Sequence, residues 1–243
     1  MQEELASIEY KTAEWEKFFE ARYYESRDKN NPKRMKKIIF ATLPFKEVLE
    51  RRYYRLKYNR FSAIGAEDPF YFAVNSAVAK SLKKDDELKI ILLKTKDGEN
   101  SATEDAKIFI DELNSFNKVG VKIIKEIIPN AFDLSKTNFR FMFKTLIKEL
   151  EQGAEIYADV TYGPKPLAFL LITVIQFAEK FFDCQIGNIV YSNVEFFGDK
   201  PTKQVSEMGY DITPLYLLNS FINTIESSTG EKAIKAVESL FED

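Results

Sequence analysis

The chain has 243 residues, enough for one large domain or two small ones with a real core. Apolar residues make up 45% and charged residues 30%, and 35 basic residues face 38 acidic ones. That balance lacks the cationic excess of a general nucleic-acid binder, so no long nucleic acid is expected as a partner. The chain contains no histidine, which excludes Ser–His and Cys–His catalysis, histidine general bases and histidine metal sites.

Residues 3–27 read as a helix. Leu5, Ile8, Trp15, Phe18, Phe19 and Tyr23 recur at helical spacing among charges. Asn30-Asn31-Pro32 breaks the pattern, so residues 1–34 are expected to form an N-terminal helical extension. Met1-Gln2-Glu3-Glu4 is charged, unlike a secretory signal. Ile38–Ala41 is a short apolar run ending at Thr42, a first strand. Residues 46–58 are charged and aromatic, a helix or an irregular insertion. Asp68-Pro69 suits a helix start, with Asp68 as N-cap, and that helix runs to Leu82.

Leu88–Leu93 is a second strand and Ser101–Asn117 a second helix of the domain, with Ala106, Phe109, Ile110 and Leu113 on one face. Val121–Ile128 is a third strand, followed by a helix over Ser135–Leu150. Ala154–Val160 is a fourth strand, Lys165–Phe182 a strongly apolar helix and Ile186–Val194 a fifth strand. Leu167–Ala178 is the longest apolar run, too short for a bilayer, which needs about 20 residues. The single cysteine, Cys184, rules out an intramolecular disulfide and reads as a buried structural thiol. A reducing, cytoplasmic location follows as an expectation. Helices over about 213–226 and 231–241 close the chain.

Strands alternating with helices imply parallel strands joined by right-handed crossovers. The expected fold is α/β: a Rossmann-like, doubly wound, mostly parallel sheet with helices on both faces, spanning 35–243. In such sheets ligands bind beyond the carboxyl ends of the strands. The candidate loops are Thr42–Phe45, Thr95–Asn100, Asp159–Pro166 and Ser192–Gly198.

The third loop is chemically the richest. It reads Asp159-Val160-Thr161-Tyr162-Gly163-Pro164-Lys165-Pro166, leaving a strand and entering a helix. A helix N-terminus is a ready anion site. Gly163 lets backbone approach closely, Pro164 and Pro166 fix the loop, Lys165 adds a cation, Thr161 a hydroxyl and Tyr162 a ring for stacking. Against this stands the ordinary strand–turn–helix junction of any such fold, in which Asp159 only bonds loop amides. The loop lacks G-x-G-x-x-G and a P-loop, which weakens dinucleotide and ATPase readings. Asp86-Glu87-Leu88-Lys89 contains an E-x-K of the kind found in restriction-type nucleases, but a short charged triplet is unspecific and reads better as a turn before a strand.

The Asp159–Pro166 loop resembles the D-x-T-H-G motif of CRISPR-associated Rossmann fold (CARF) proteins, with Tyr162 in place of the motif's histidine. The first strand with Thr42 at its end, and the segment Asp211–Asn219, are similar to other parts of the family. The resemblance implies a homodimer that binds cyclic oligoadenylate, of tetra- or hexa-adenylate size, in antiviral defence. It also implies slow, metal-independent cleavage in some members. Such a ring nuclease needs no cofactor and no metal: a 2′-hydroxyl attacks the adjacent phosphate. Lys165 and Thr42 would carry the catalysis. Asp159, Thr161, Tyr162, Gly163, Pro164, Asn75, Arg60 and Phe61 would bind the ligand. Two alternatives stay open: a non-catalytic sensor that regulates a fused or partner effector, and an unrelated nucleotide-binding α/β enzyme. No membrane partner is expected.

Overall fold

The computed structural model describes residues 36–44, 55–57, 71–79, 81–84, 86–94, 101–117, 122–128, 135–192, 196–197, 200–201, 208–223 and 229–241. The strands are β1 (Lys36–Thr42), β2 (Arg55–Lys57), β3 (Glu87–Leu93), β4 (Lys122–Ile128), β5 (Glu155–Asp159), β6 (Gln185–Ser192), β7 (Phe196–Phe197), β8 (Lys200–Pro201) and β9 (Met208–Asp211). The helices are α1 (Ala73–Ala79), α2 (Ser101–Phe116), α3 (Lys136–Lys148), α4 (Lys165–Phe182), α5 (Thr213–Ile222) and α6 (Gly230–Phe241). Contacts divide the chain between a unit spanning Arg34–Thr213 and a second that includes Pro214–Asp243.

In the first unit seven strands form one sheet in the order β2-β9-β6-β5-β1-β3-β4. β4, β3, β1, β5 and β6 run parallel. β9 adds antiparallel to β6, and β2 pairs parallel with β9. The five parallel strands are therefore laid out as third-second-first-fourth-fifth, the doubly wound arrangement expected from the sequence. β7 and β8 form a separate two-stranded ribbon. The expected helix or insertion at 46–58 contains the short strand β2 instead. The sequence reading also passed over β9, a four-residue strand with a glycine at its second position.

Burial on both faces explains the continuous apolar strands. Ile39, Ala41, Ile90, Leu92, Tyr157 and Val190 pack with Phe72, Val74 and Val78 around α1 and with Phe109 and Leu113 of α2. Alternate residues such as Ile38, Phe40 and Ile91 point to the opposite face and are also fully buried. α3 and α4 meet through Phe143 and Phe177, whose rings stand edge-on at 5.8 Å. α3 is capped as its sequence predicts, with Ser135 accepting the Asn138 amide at 3.2 Å. α4 ends at Asp183 in the left-handed region, at φ 49°.

A buried ion cluster sits at the amino end of the sheet. Lys37, 2% exposed, bonds the Glu155 carboxylate beside it on β5 and lies 3.8 Å from Asp86. Its ammonium also stands 5.7 Å from the centre of the Tyr157 ring. That ring lies over Gly187, where a Cβ would come within 2.5 Å of it. Lys89 pairs with Glu149 at 2.8 Å and approaches Glu151 at 3.8 Å. Asp86 and Lys89 of the E-x-K segment are thus held in ion pairs at the end of the sheet away from the candidate site.

Candidate functional site

Strand order reverses between β1 and β5, so their carboxyl ends form the topological switch point of the sheet. Thr42 ends β1 and Asp159 ends β5. The fold therefore brings together two of the residues the sequence singled out. Thr42, 1% exposed, donates its hydroxyl to the Tyr162 carbonyl at 2.6 Å. Its side chain holds the loop rather than facing solvent.

Asp159 is buried beneath the loop, in register with Ala41 on one side and Val190 on the other. Its Oδ1 accepts the Thr161 amide at 2.9 Å. Its Oδ2 is buried without a hydrogen-bond partner. Burial pushes the carboxyl up to about 6, against the pull of the Thr161 hydroxyl and amide and the Val74 amide of α1. Thr161 in turn accepts the Ser192 amide at 3.0 Å, which ties the loop to the end of β6.

The rest of the loop turns outward. Tyr162 is half-buried, its ring edge-on to Phe72 with centroids 6.3 Å apart. Gly163 is exposed and has φ +91°, a conformation that side-chain-bearing residues avoid. Pro164 is the N-cap of α4 and offers no side-chain cap bond. Lys165 and Pro166 are exposed in the first turn. Pro166 has no amide, and the Leu167 amide bonds the Pro164 carbonyl at 2.8 Å. The positive end of the 18-residue α4 therefore offers its dipole and the Lys165 ammonium, with the Pro166 amide missing and the Leu167 amide already bonded.

The Asn75 side chain is engaged with α2. It is fully buried on α1 and donates to the Phe109 carbonyl at 3.2 Å and to Glu112 at 2.9 Å. Glu112 also accepts the amides of Tyr71 and Phe72 just ahead of α1. Asn75 thus fastens α1 to α2, and its Oδ1 is buried without a partner. Arg60 and Phe61 lie outside the described residues.

Sequence reasoning missed a second lock of the same design. Asp211 lies opposite Val190, the residue that Asp159 faces from the other side. Its carboxylate accepts the Thr213 amide at 3.0 Å and the Thr213 hydroxyl, and its other oxygen accepts Asn188 at 2.8 Å. Thr213 accepts the Ile189 amide at 2.8 Å. Burial raises Asp211 to about 6 as well. The signal was present in the sequence as a repeated Asp-x-Thr, at 159–161 and 211–213. Ser192 was also missed: it is 2% exposed beside the loop, with its hydroxyl buried and unpartnered.

Two further facts bound the chemistry. Cys184 is buried and its thiol is pushed up to about 11, chiefly by desolvation, which makes it a poor nucleophile. Among the described residues, no helix is long and apolar enough to cross a membrane.

No family model matches the chain. It is 23% identical to a CRISPR-associated protein of Methanocaldococcus jannaschii, MJ1674, over 69% of this chain and 28% of the relative. The chain therefore spans little more than a quarter of that relative's length. Among solved structures, a phosphofructokinase-2 mutant from Escherichia coli aligns with a TM-score of 0.32 and 11% identity, over 66% of this chain and 55% of the other. That likeness is too low to bear on function.

Proposed function

We propose that the chain binds cyclic oligoadenylate in a CRISPR-related role, as a homodimer that offers two copies of the Asp159–Pro166 loop to one ring. The observation that carries this reading is the convergence of Thr42 and that loop at the switch point, on a chain distantly similar to a CRISPR-associated protein. A ring of identical nucleotides with even symmetry matches a two-fold dimer. Lys165 and the α4 dipole meet the phosphates. Gly163 lets the backbone approach them. Asp159, Thr161 and Thr42 hold the loop in shape.

Cleavage in such a site is an in-line displacement. The 2′-oxygen of one ribose bonds to the adjacent phosphorus, and the bond to the 5′-oxygen breaks. The proton leaves the 2′-hydroxyl and the departing 5′-oxygen takes one up, leaving a 2′,3′-cyclic phosphate. The reaction needs positioning and charge stabilisation more than an acid–base pair, which suits a chain without histidine. In this reading Lys165, exposed at the start of α4, stabilises charge on the phosphorane.

A second reading, a sensor that binds without turnover, draws on one observation. The hydroxyls of Thr42 and Thr161 already bond within the protein. Incubation with cyclic tri-, tetra- and hexa-adenylate, with and without EDTA, separates the readings when a Lys165→Ala variant runs alongside. Linear products that persist in EDTA and vanish in the variant establish a ring nuclease. Binding without products establishes the sensor. Failure of every ring to bind at micromolar levels removes both.

A further inference from the structure

α3 carries a feature that the proposed ligand site does not use. Lys136, Arg140, Lys144 and Lys148 follow one another at intervals of four, and the 13-residue helix contains no acidic residue. All four are exposed. At 3.6 residues per turn they fall within about 120° of the helix surface, about 6 Å apart along the axis. None of the four makes an ion pair among the described residues. Glu149, next in sequence, is engaged by Lys89 at 2.8 Å and does not neutralise Lys148. Phe141, 59% exposed, borders the same arc beside Lys144 and Lys148.

An ordinary solvated helix face mixes signs, because like charges four residues apart destabilise a helix. Here three successive like-charge pairs stand with no internal compensation, on a chain whose net charge is −3. The whole-chain balance conceals this local stripe, and it complements a row of regularly spaced anions. The pitch of about 6 Å suits phosphates along an extended single strand. An exposed aromatic ring beside a cationic track is the arrangement that stacks unpaired bases.

We propose that the exposed face of α3 is a docking surface for a short stretch of single-stranded nucleic acid, with the four cations on consecutive phosphates and Phe141 under a base. This surface is independent of the ring-binding reading.

The test is fluorescence anisotropy of a labelled 20-nucleotide oligouridylate with the full chain across a salt series. Four phosphate contacts predict a slope of about −2.8 in log affinity against log salt, or about a 50-fold loss between roughly 50 and 200 mM. Arg140→Gln with Lys144→Gln halves the slope, so the same step costs about 7-fold. Phe141→Ala weakens binding about 10-fold at an unchanged slope. All three substitutions fall on exposed positions, and circular dichroism checks that each variant is folded. No binding at the lowest salt overturns the proposal, as does a slope indifferent to the paired substitution. Displacement of the strand by cyclic tetra-adenylate would place it in the ring site instead. Equal binding of polyglutamate, insensitive to Phe141→Ala, would identify an acidic protein partner and overturn the proposal.

Discussion

Replacing Asp159 by Asn tests the electrostatics of the candidate site without changing its size. The carboxyl rises from 3.8 to about 6 on folding, because burial outweighs the bonds from Thr161 and Val74. Between those two values the folded chain holds a proton that the unfolded chain has released. Stability therefore falls as pH rises through this window, and the loss is complete above about pH 6. A shift of roughly two units corresponds to about 3 kcal/mol. Asn keeps the acceptor for the Thr161 amide and cannot ionise. The variant should then gain about 3 kcal/mol relative to the parent between about pH 4 and 7.5, whatever its absolute stability. Chemical denaturation of both proteins at a series of pH values reads this difference directly. A stability difference independent of pH would show that Asp159 titrates normally, and that the buried oxygen without a partner is solvated in solution.

Three further substitutions probe the surroundings. Thr42→Val keeps shape and removes the bond to the Tyr162 carbonyl; it should cost about 1 kcal/mol, read by melting, and under the proposed function it weakens ring binding several-fold, read by nucleotide titration. Gly187→Ala drives a Cβ to 2.5 Å from the buried Tyr157 ring and should cost about 1–3 kcal/mol in denaturant unfolding. Lys37→Met strands Glu155 and Asp86 without their cation and should cost about 3–5 kcal/mol. Adding Glu155→Gln to that variant should recover part of the loss, and a double-mutant cycle measures it.

The parallel core was legible because its signals are redundant. β1, β3 and β5 are apolar runs, α2 has a clear buried face at Ala106, Phe109 and Leu113, and Lys165–Phe182 matches α4 to the residue. The switch point followed from strand order, and with it the meeting of Thr42 and the Asp159 loop. What stayed hidden was non-local. β2 has three residues and β9 four, so neither has a period to read; pairing to β6 and to each other makes them strands. Asn75 looked like a ligand residue because the chain places it after the first strand. Its role depends on Glu112, 37 positions away. Asp211 and Thr213 were seen as part of a family-like segment, but their bond to the Ile189 amide depends on β9 lying beside β6.

The two Asp-x-Thr locks share one strand. Thr161 accepts an amide of β6 at Ser192, and Thr213 accepts another at Ile189, with Val190 between the two carboxyls. In each lock the aspartate binds the amide two residues on, and the threonine carries the connection to β6. The Asp159–Pro166 loop and Thr213 are thus anchored to the same four residues of backbone. A threonine hydroxyl can donate to its aspartate and accept from β6 at once, whereas a valine of equal shape can do neither. That double duty explains why the residue types repeat while the loops that follow differ: Tyr162-Gly163-Pro164 in one, Pro214 in the other. The chemistry of the candidate site then lies in what the first lock presents, an outward glycine and a lysine at a helix start, and its geometry lies in the lock itself.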